Sequence, residues 1–200
     1  MTNNRFSTSL LFAGILILSG CGSDDIVNSS ANTSTPTTST PASTTAAPTV
    51  ASTAITTTSG KTIQVNRTQN GLVFGGQEGK IVVLEIYGHS CPFCINAIPI
   101  FNNIRAKYPN DVYVIAMESY GQLDNAGLQQ YVASNGIQYD TVATSNAGSM
   151  FAFMNELTGY TTNQGVPAYL ILGRDGALVE YAPPHAPNQS VIEGYIQGLL

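Results

Sequence analysis

Residues 80–94 read K-I-V-V-L-E-I-Y-G-H-S-C-P-F-C, and the fold turns on this stretch. Ile81 to Tyr87 is largely apolar, rich in β-branched side chains and bounded by Gly79 and Gly88, which predicts a buried strand. Gly88-His89-Ser90 then leads into Cys91-Pro92-Phe93-Cys94, and a helical pattern follows. The two thiols therefore fall where a strand hands over to a helix N-terminus. Unpaired backbone N–H groups and the positive end of the macrodipole favour thiolate there, the reactive form of Cys91. Cys94 lies one turn further in, shielded, where it can attack a mixed disulfide formed at Cys91. Pro92, in the first helical turn, removes no hydrogen bond and stiffens the loop.

Downstream, Ile95, Ile98, Phe101, Ile104 and Tyr108 recur at helical spacing up to Pro109, with Pro99 inside the run and expected to kink it. Residues 112–117 read as a second buried strand, 123–134 as a helix closed by Asn135-Gly136, and 141–143 as a short strand. Met150, Phe151, Met154 and Leu157 form the core stripe of another helix, stopped at Gly159. Two strands, 169–172 and 177–181, flank the turn Gly173-Arg174-Asp175-Gly176. Asn188 can cap a last helix that buries Val191, Ile192, Tyr195, Ile196 and Leu199. Upstream, Ile63 and Val65, then Asn70-Gly71 and Leu72 to Phe74, predict a hairpin. The order is β-β-β-α-β-α-β-α-β-β-α. It predicts an α/β domain over 61–200, with a central mixed sheet, helices on both faces and an N-terminal β-hairpin extension.

The N-terminal third reads differently. Residues 10–18, L-L-F-A-G-I-L-I-L, follow Arg5 and have the length of a secretory apolar core, too short to span a bilayer. Leu18-Ser19-Gly20-Cys21 resembles a bacterial lipobox, so that 1–20 is a signal peptide and Cys21 the lipidated residue. Acyl chains there, at about 0.8 kcal/mol per buried methylene, make a durable membrane anchor. Ser and Thr make up about half of residues 22–60, and no aromatic residue interrupts them. Such a composition buries too little surface to offset chain entropy, so 21–60 reads as a lipid-bearing tether. The chain carries seven Lys and Arg against twelve Asp and Glu, net charge −5, with no basic run that could follow a phosphate backbone, which excludes nucleic acid as a partner. Of three cysteines, a lipidated Cys21 leaves Cys91 and Cys94 as the free pair, able to cycle between dithiol and disulfide in an exported protein.

Two further features bear on the chemistry. Glu85 interrupts the apolar strand six positions before Cys91; buried, its pKa rises, and through a water it can exchange the Cys94 proton. Gly165-Val166-Pro167 immediately precedes the strand at 168–172, a position that tolerates proline and suits a cis bond.

Glu85, the CxxC pair, Pro99 and Pro167, in this order and spacing, resemble the thioredoxin superfamily over residues 61–200. The resemblance implies a thioredoxin-like fold and thiol–disulfide exchange with protein substrates and a redox partner protein. It also implies that Pro167 is a cis-proline packed beside the redox pair. Val166, Pro167, Pro92 and Phe93 are then the substrate-contact residues, and Cys91, Cys94 and Glu85 the catalytic ones. No cofactor is expected beyond the Cys91–Cys94 disulfide. The hairpin and the added α/β segment around 123–143 look most like the exported TlpA/ResA branch, many of whose members are membrane-anchored reductases. Glu85 and Val166-Pro167 resemble the Dsb-type oxidants instead. Phe93 stands where those oxidants usually carry His, and Ser90 where tryptophan commonly precedes the motif. The reading leans to a reductase, with a Dsb-type oxidant or isomerase as the alternative. It places a monomer in the bacterial cell envelope, anchored through Cys21 and facing the periplasm. A different class of reading makes Cys91, Cys94 and His89 soft ligands for copper or zinc, although three ligands fall short of the four of a structural zinc site. His89 otherwise reads as a solvated loop residue, and so does His185.

Overall fold

The computed structural model describes residues 48–200. The stretches read as signal segment, lipobox with Cys21 and tether, up to residue 47, lie outside the described residues. The elements are β1 (Thr49–Thr56), β2 (Thr62–Thr68), β3 (Leu72–Phe74), β4 (Ile81–Tyr87), α1 (Pro92–Lys107), β5 (Val112–Glu118), α2 (Asn125–Ser134), β6 (Asp140–Thr141), α3 (Ala147–Thr158), β7 (Ala168–Leu172), β8 (Leu178–Ala182) and α4 (Gln189–Leu199).

β1 corrects the expected domain boundary: the fold begins by Thr49, within the stretch read as tether, and not at Lys61. Its Thr- and Ala-rich sequence carries one large buried anchor, Ile55. What holds it is antiparallel pairing along β2, from Ala51 opposite Arg67 to Thr56 opposite Thr62. Backbone pairing of β-branched threonines needs a partner strand, which composition does not reveal. The predicted hairpin is therefore a three-stranded sheet, β1-β2-β3.

The second sheet runs β6-β5-β4-β7-β8. β4 is central, parallel to β5 and antiparallel to β7, and all seven of its residues are buried. Odd-numbered side chains (Ile81, Val83, Tyr87) pack against α1 and α4. Even-numbered ones (Val82, Leu84, Ile86) pack against α3 and the three-stranded sheet. A strand buried on both faces explains the uninterrupted apolar run. α1 continues through Pro99, which lies on its exposed side and supplies no N–H to the carbonyl of Ile95. α1 buries Cys94, Ala97, Ile98, Phe101 and Ile104 and turns Ile95 outward, and α4 buries Ile192 and Ile196 but exposes Val191. Gly159 ends α3 at φ 72°, a left-handed cap.

The two sheets are joined where the turn before β3 meets the β7–β8 turn. Leu72 N donates to Gly176 O at 2.9 Å and Leu178 N to Asn70 O at 2.8 Å. A Cβ on Gly71 would stand 1.9 Å from the carbonyl oxygen of Gly176, which is backbone and cannot swing aside. Gly71→Ala is therefore expected to destabilise the fold by about 3 kcal/mol, the upper range for overpacking. A urea melt showing an unchanged midpoint would refute this.

Candidate active site

The strand-to-helix handover places both thiols. β4 ends at Tyr87, residues 88–90 turn with Cys91 N donating to Gly88 O at 3.0 Å, and Cys91 takes the N-cap of α1 in extended conformation (φ −88°, ψ 115°). Its Sγ accepts the backbone N–H of Cys94 at 3.3 Å, and as a thiol it lies 3.7 Å from the carbonyl oxygen of Val166. Cys94 Sγ accepts the N–H of Gly88 at 3.4 Å. Both cysteines carry free thiols. Cys91 keeps 7% of its surface exposed and Cys94 1%, so an incoming disulfide can reach only the first. Burial pushes the Cys94 thiol well above the ordinary range, with smaller upward contributions from Cys91 and the charge of Glu85.

Glu85 sits mid-strand, opposite Ala116 of β5 and Tyr169 of β7, and is 1% exposed. Tyr139 donates its hydroxyl to Oε2 at 2.8 Å, while Oε1 is buried with no protein partner. Burial raises the carboxyl from 4.5 to about 8, and the Tyr139 bond offsets part of that rise. Beside it, the rings of Tyr87 and Tyr131 stack with centroids 5.6 Å apart. Tyr131 is pushed up to about 12, first by burial and then by the charge of Glu85.

Across from the thiols, the Val166–Pro167 bond is cis. Phe93, Val166, Pro167, Pro184, His185 and Ala186 line a groove of about 310 Å³. Phe93 is 63% exposed and forms one wall, and Pro92 beside it is also exposed. His185, read from sequence as a plain loop residue, forms part of the other wall. Its backbone N–H donates to Pro167 O at 3.1 Å, and its ring lies 5.9 Å from that of Tyr169.

The structure also brings in Glu118, which the sequence reading left out. It closes β5 opposite Tyr87 and is buried. Its Oε1 lies 3.0 Å from His89 Nδ1 and its Oε2 accepts Gly121 N–H at 2.8 Å. His89 is thus a largely covered residue held by a carboxylate, not a solvated one. A charged residue ending an apolar strand, the same interruption that marks Glu85, is the signal that was there to be read. Among the described residues no three His, Cys, Asp or Glu side chains converge as a metal site.

No protein-family model and no curated protein matches the chain. Solved structures do. A secreted Mycobacterium tuberculosis disulfide oxidoreductase homologous to E. coli DsbE is 22% identical, with TM-score 0.54, over 74% of this chain and 96% of that one. MTB DsbF, solved in mixed oxidised and reduced forms, is 20% identical with TM-score 0.55, over 74% and 95%. The pneumococcal exposed lipoprotein thioredoxin Etrx1 of Streptococcus pneumoniae is 17% identical with TM-score 0.55, over 74% and 100%. With a CxxC pair capping the helix after the central strand and a cis-proline across from it, the chain has the thioredoxin fold.

Proposed function

We propose that the chain is a thiol–disulfide oxidoreductase of the bacterial cell envelope that acts on protein substrates and is held to a membrane by lipid on Cys21. The observation that carries the reading is the asymmetric dithiol, with Cys91 reachable at the helix cap, Cys94 buried one turn in, and a buried Glu85 whose charge acts on Cys94. In the reducing direction the Cys91 thiolate attacks a substrate disulfide, forming a Cys91–substrate bond and releasing one substrate thiol. Cys94 then gives up its proton and attacks Cys91 Sγ, releasing the second thiol and leaving the Cys91–Cys94 disulfide. Two electrons have passed to the substrate, and a dithiol partner must return them. Ionised Glu85 is the acceptor for the Cys94 proton. The groove beside Pro167 receives an extended substrate segment through its backbone, with Phe93 and His185 as walls.

The lean to the reducing direction rests on how few donors face the attacking sulfur. Cys91 Sγ accepts one backbone N–H, that of Cys94, and Phe93 offers no side-chain donor. With the helix N-terminus and one N–H but no side-chain donor acting on that sulfur, the reduced form gains less than it would with a further donor, which leans the pair toward a reductant. The pair is therefore expected to have a potential nearer thioredoxin's −270 mV than the roughly −120 mV of a strong oxidant. Equilibration with glutathione measures it, and a value near −120 mV would overturn the reductase reading. Insulin reduction no faster than that of Cys91→Ser would overturn thiol exchange altogether.

A further inference from the structure

At the end of β4 away from the thiols, a cavity of about 400 Å³ opens between the turn before β4, the last turn of α1 and the loop before β6. Lys61, Lys80 and Arg105 line it together with Gln77, Gln138 and Asp140. Lys61 and Asp140 are committed to each other: Lys61 Nζ lies 3.1 Å from Asp140 Oδ2, which also accepts the Tyr113 hydroxyl at 2.7 Å. Lys107, Arg67 and Arg174 hold Glu193, Glu156 and Asp111 at 2.7, 2.9 and 2.8 Å. That leaves Lys80 and Arg105, the two remaining described cations, without a carboxylate partner among the described residues, and both face this cavity. The side-chain amides of Gln77 and Gln138 likewise have no hydrogen-bond partner there.

A chain with twelve carboxylates and seven cations has no shortage of partners, yet two cations on one cavity have no carboxylate partner among the described residues. The position of Arg105 in the last turn of α1 suits the negative end of the helix dipole, which accounts for that cation alone. It does not account for Lys80 or the two amides: Gln77 and Lys80 share the turn before β4, and Gln138 comes from the loop before β6. We propose that this cavity binds a phosphate group, with Lys80 and Arg105 supplying the charge and Gln77 and Gln138 further donors. A phosphate monoester carries close to two negative charges and three acceptor oxygens, which matches donors converging from several directions. The guanidinium of Arg105 can take two of those oxygens at once. β4 separates this site from the thiols by about 20 Å, so the proposal stands apart from the redox reading.

The test has two arms, both on the full chain and its K80A/R105A variant, whose changed side chains lie at the surface. Amide shifts are followed during titration with inorganic phosphate. Cosedimentation is compared between phosphatidylglycerol and phosphatidylcholine vesicles, so that any contribution of the apolar 10–18 segment is common to both. Saturable shifts around Lys80, Arg105 and Gln138, weakened about tenfold or more in the variant, support a free phosphate compound as ligand. A preference for phosphatidylglycerol that the variant loses supports a lipid headgroup. Saturable binding in neither arm, or binding that the variant leaves unchanged, overturns the proposal.

Discussion

A Cys94→Ser variant is expected to stall as a covalent adduct with its substrate. The reason lies in the division between the two sulfurs: Cys91 caps α1 at the rim of the groove, and Cys94 is sealed behind it. With serine at 94, attack by Cys91 proceeds and the mixed disulfide forms, but no second sulfur is present to resolve it. Turnover in insulin reduction should fall by on the order of a thousandfold or more, as when one member of a catalytic unit is removed. Adduct should accumulate on non-reducing gels and disappear with dithiothreitol. Cys91→Ser should lose turnover equally and trap nothing, because an incoming disulfide cannot reach Cys94. Trapping by Cys91→Ser but not by Cys94→Ser would reverse the assigned roles.

Glu85→Gln should separate the cost of the buried carboxyl from its use. In the fold Glu85 holds its proton up to about pH 8, whereas an ordinary glutamate ionises near 4.5. Between those values the native state binds a proton that the unfolded chain has released, so stability falls as pH rises through the window. The slope approaches about 1.4 kcal/mol per pH unit. The wild type should thus resemble the variant below pH 4.5 and be less stable than it above 8. Glutamine keeps an acceptor for the Tyr139 hydroxyl, so the variant should fold and its stability should respond less to pH. Its chemistry should suffer. The Cys94 thiol, pushed up by burial, loses its proton acceptor, and resolution should slow by about 10²- to 10⁴-fold. In the wild type the rate should climb as Glu85 ionises toward pH 8, and that inflection should be missing in the variant. Stopped-flow traces of mixed-disulfide decay across pH measure this, and matching profiles would remove Glu85 from the mechanism.

Much of this site was legible because its parts obey local rules. An apolar run closed by glycine marks β4, a proline after Cys91 marks the first turn of α1, and one carboxylate in the run marks Glu85. What escaped depends on neighbours distant in sequence. β1 exists because β2 supplies its hydrogen-bond partners, and its composition alone resembles a tether. Glu118 sits at a strand end, where exposure is the default, and is covered where β4 and the turn after it bring Tyr87 and His89, some thirty residues earlier, against it. His185 meets the groove because β8 returns the chain alongside Pro167. Ile95 and Val191 fit helical spacing yet face outward, since a stripe wider than the contact leaves its edge residues uncovered.

The early start of the fold at Thr49 also sets a working radius. With lipid on Cys21 as proposed, 27 residues separate the anchor from β1 in place of the 39 that a start at Lys61 would leave. Even drawn out fully, they span at most roughly 90 Å. The twelve residues from Thr49 to Gly60 contribute to the folded body and not to its leash. With that anchor, a shorter leash would confine the dithiol to a thinner layer above the bilayer and raise its local concentration toward any partner fixed in the same membrane.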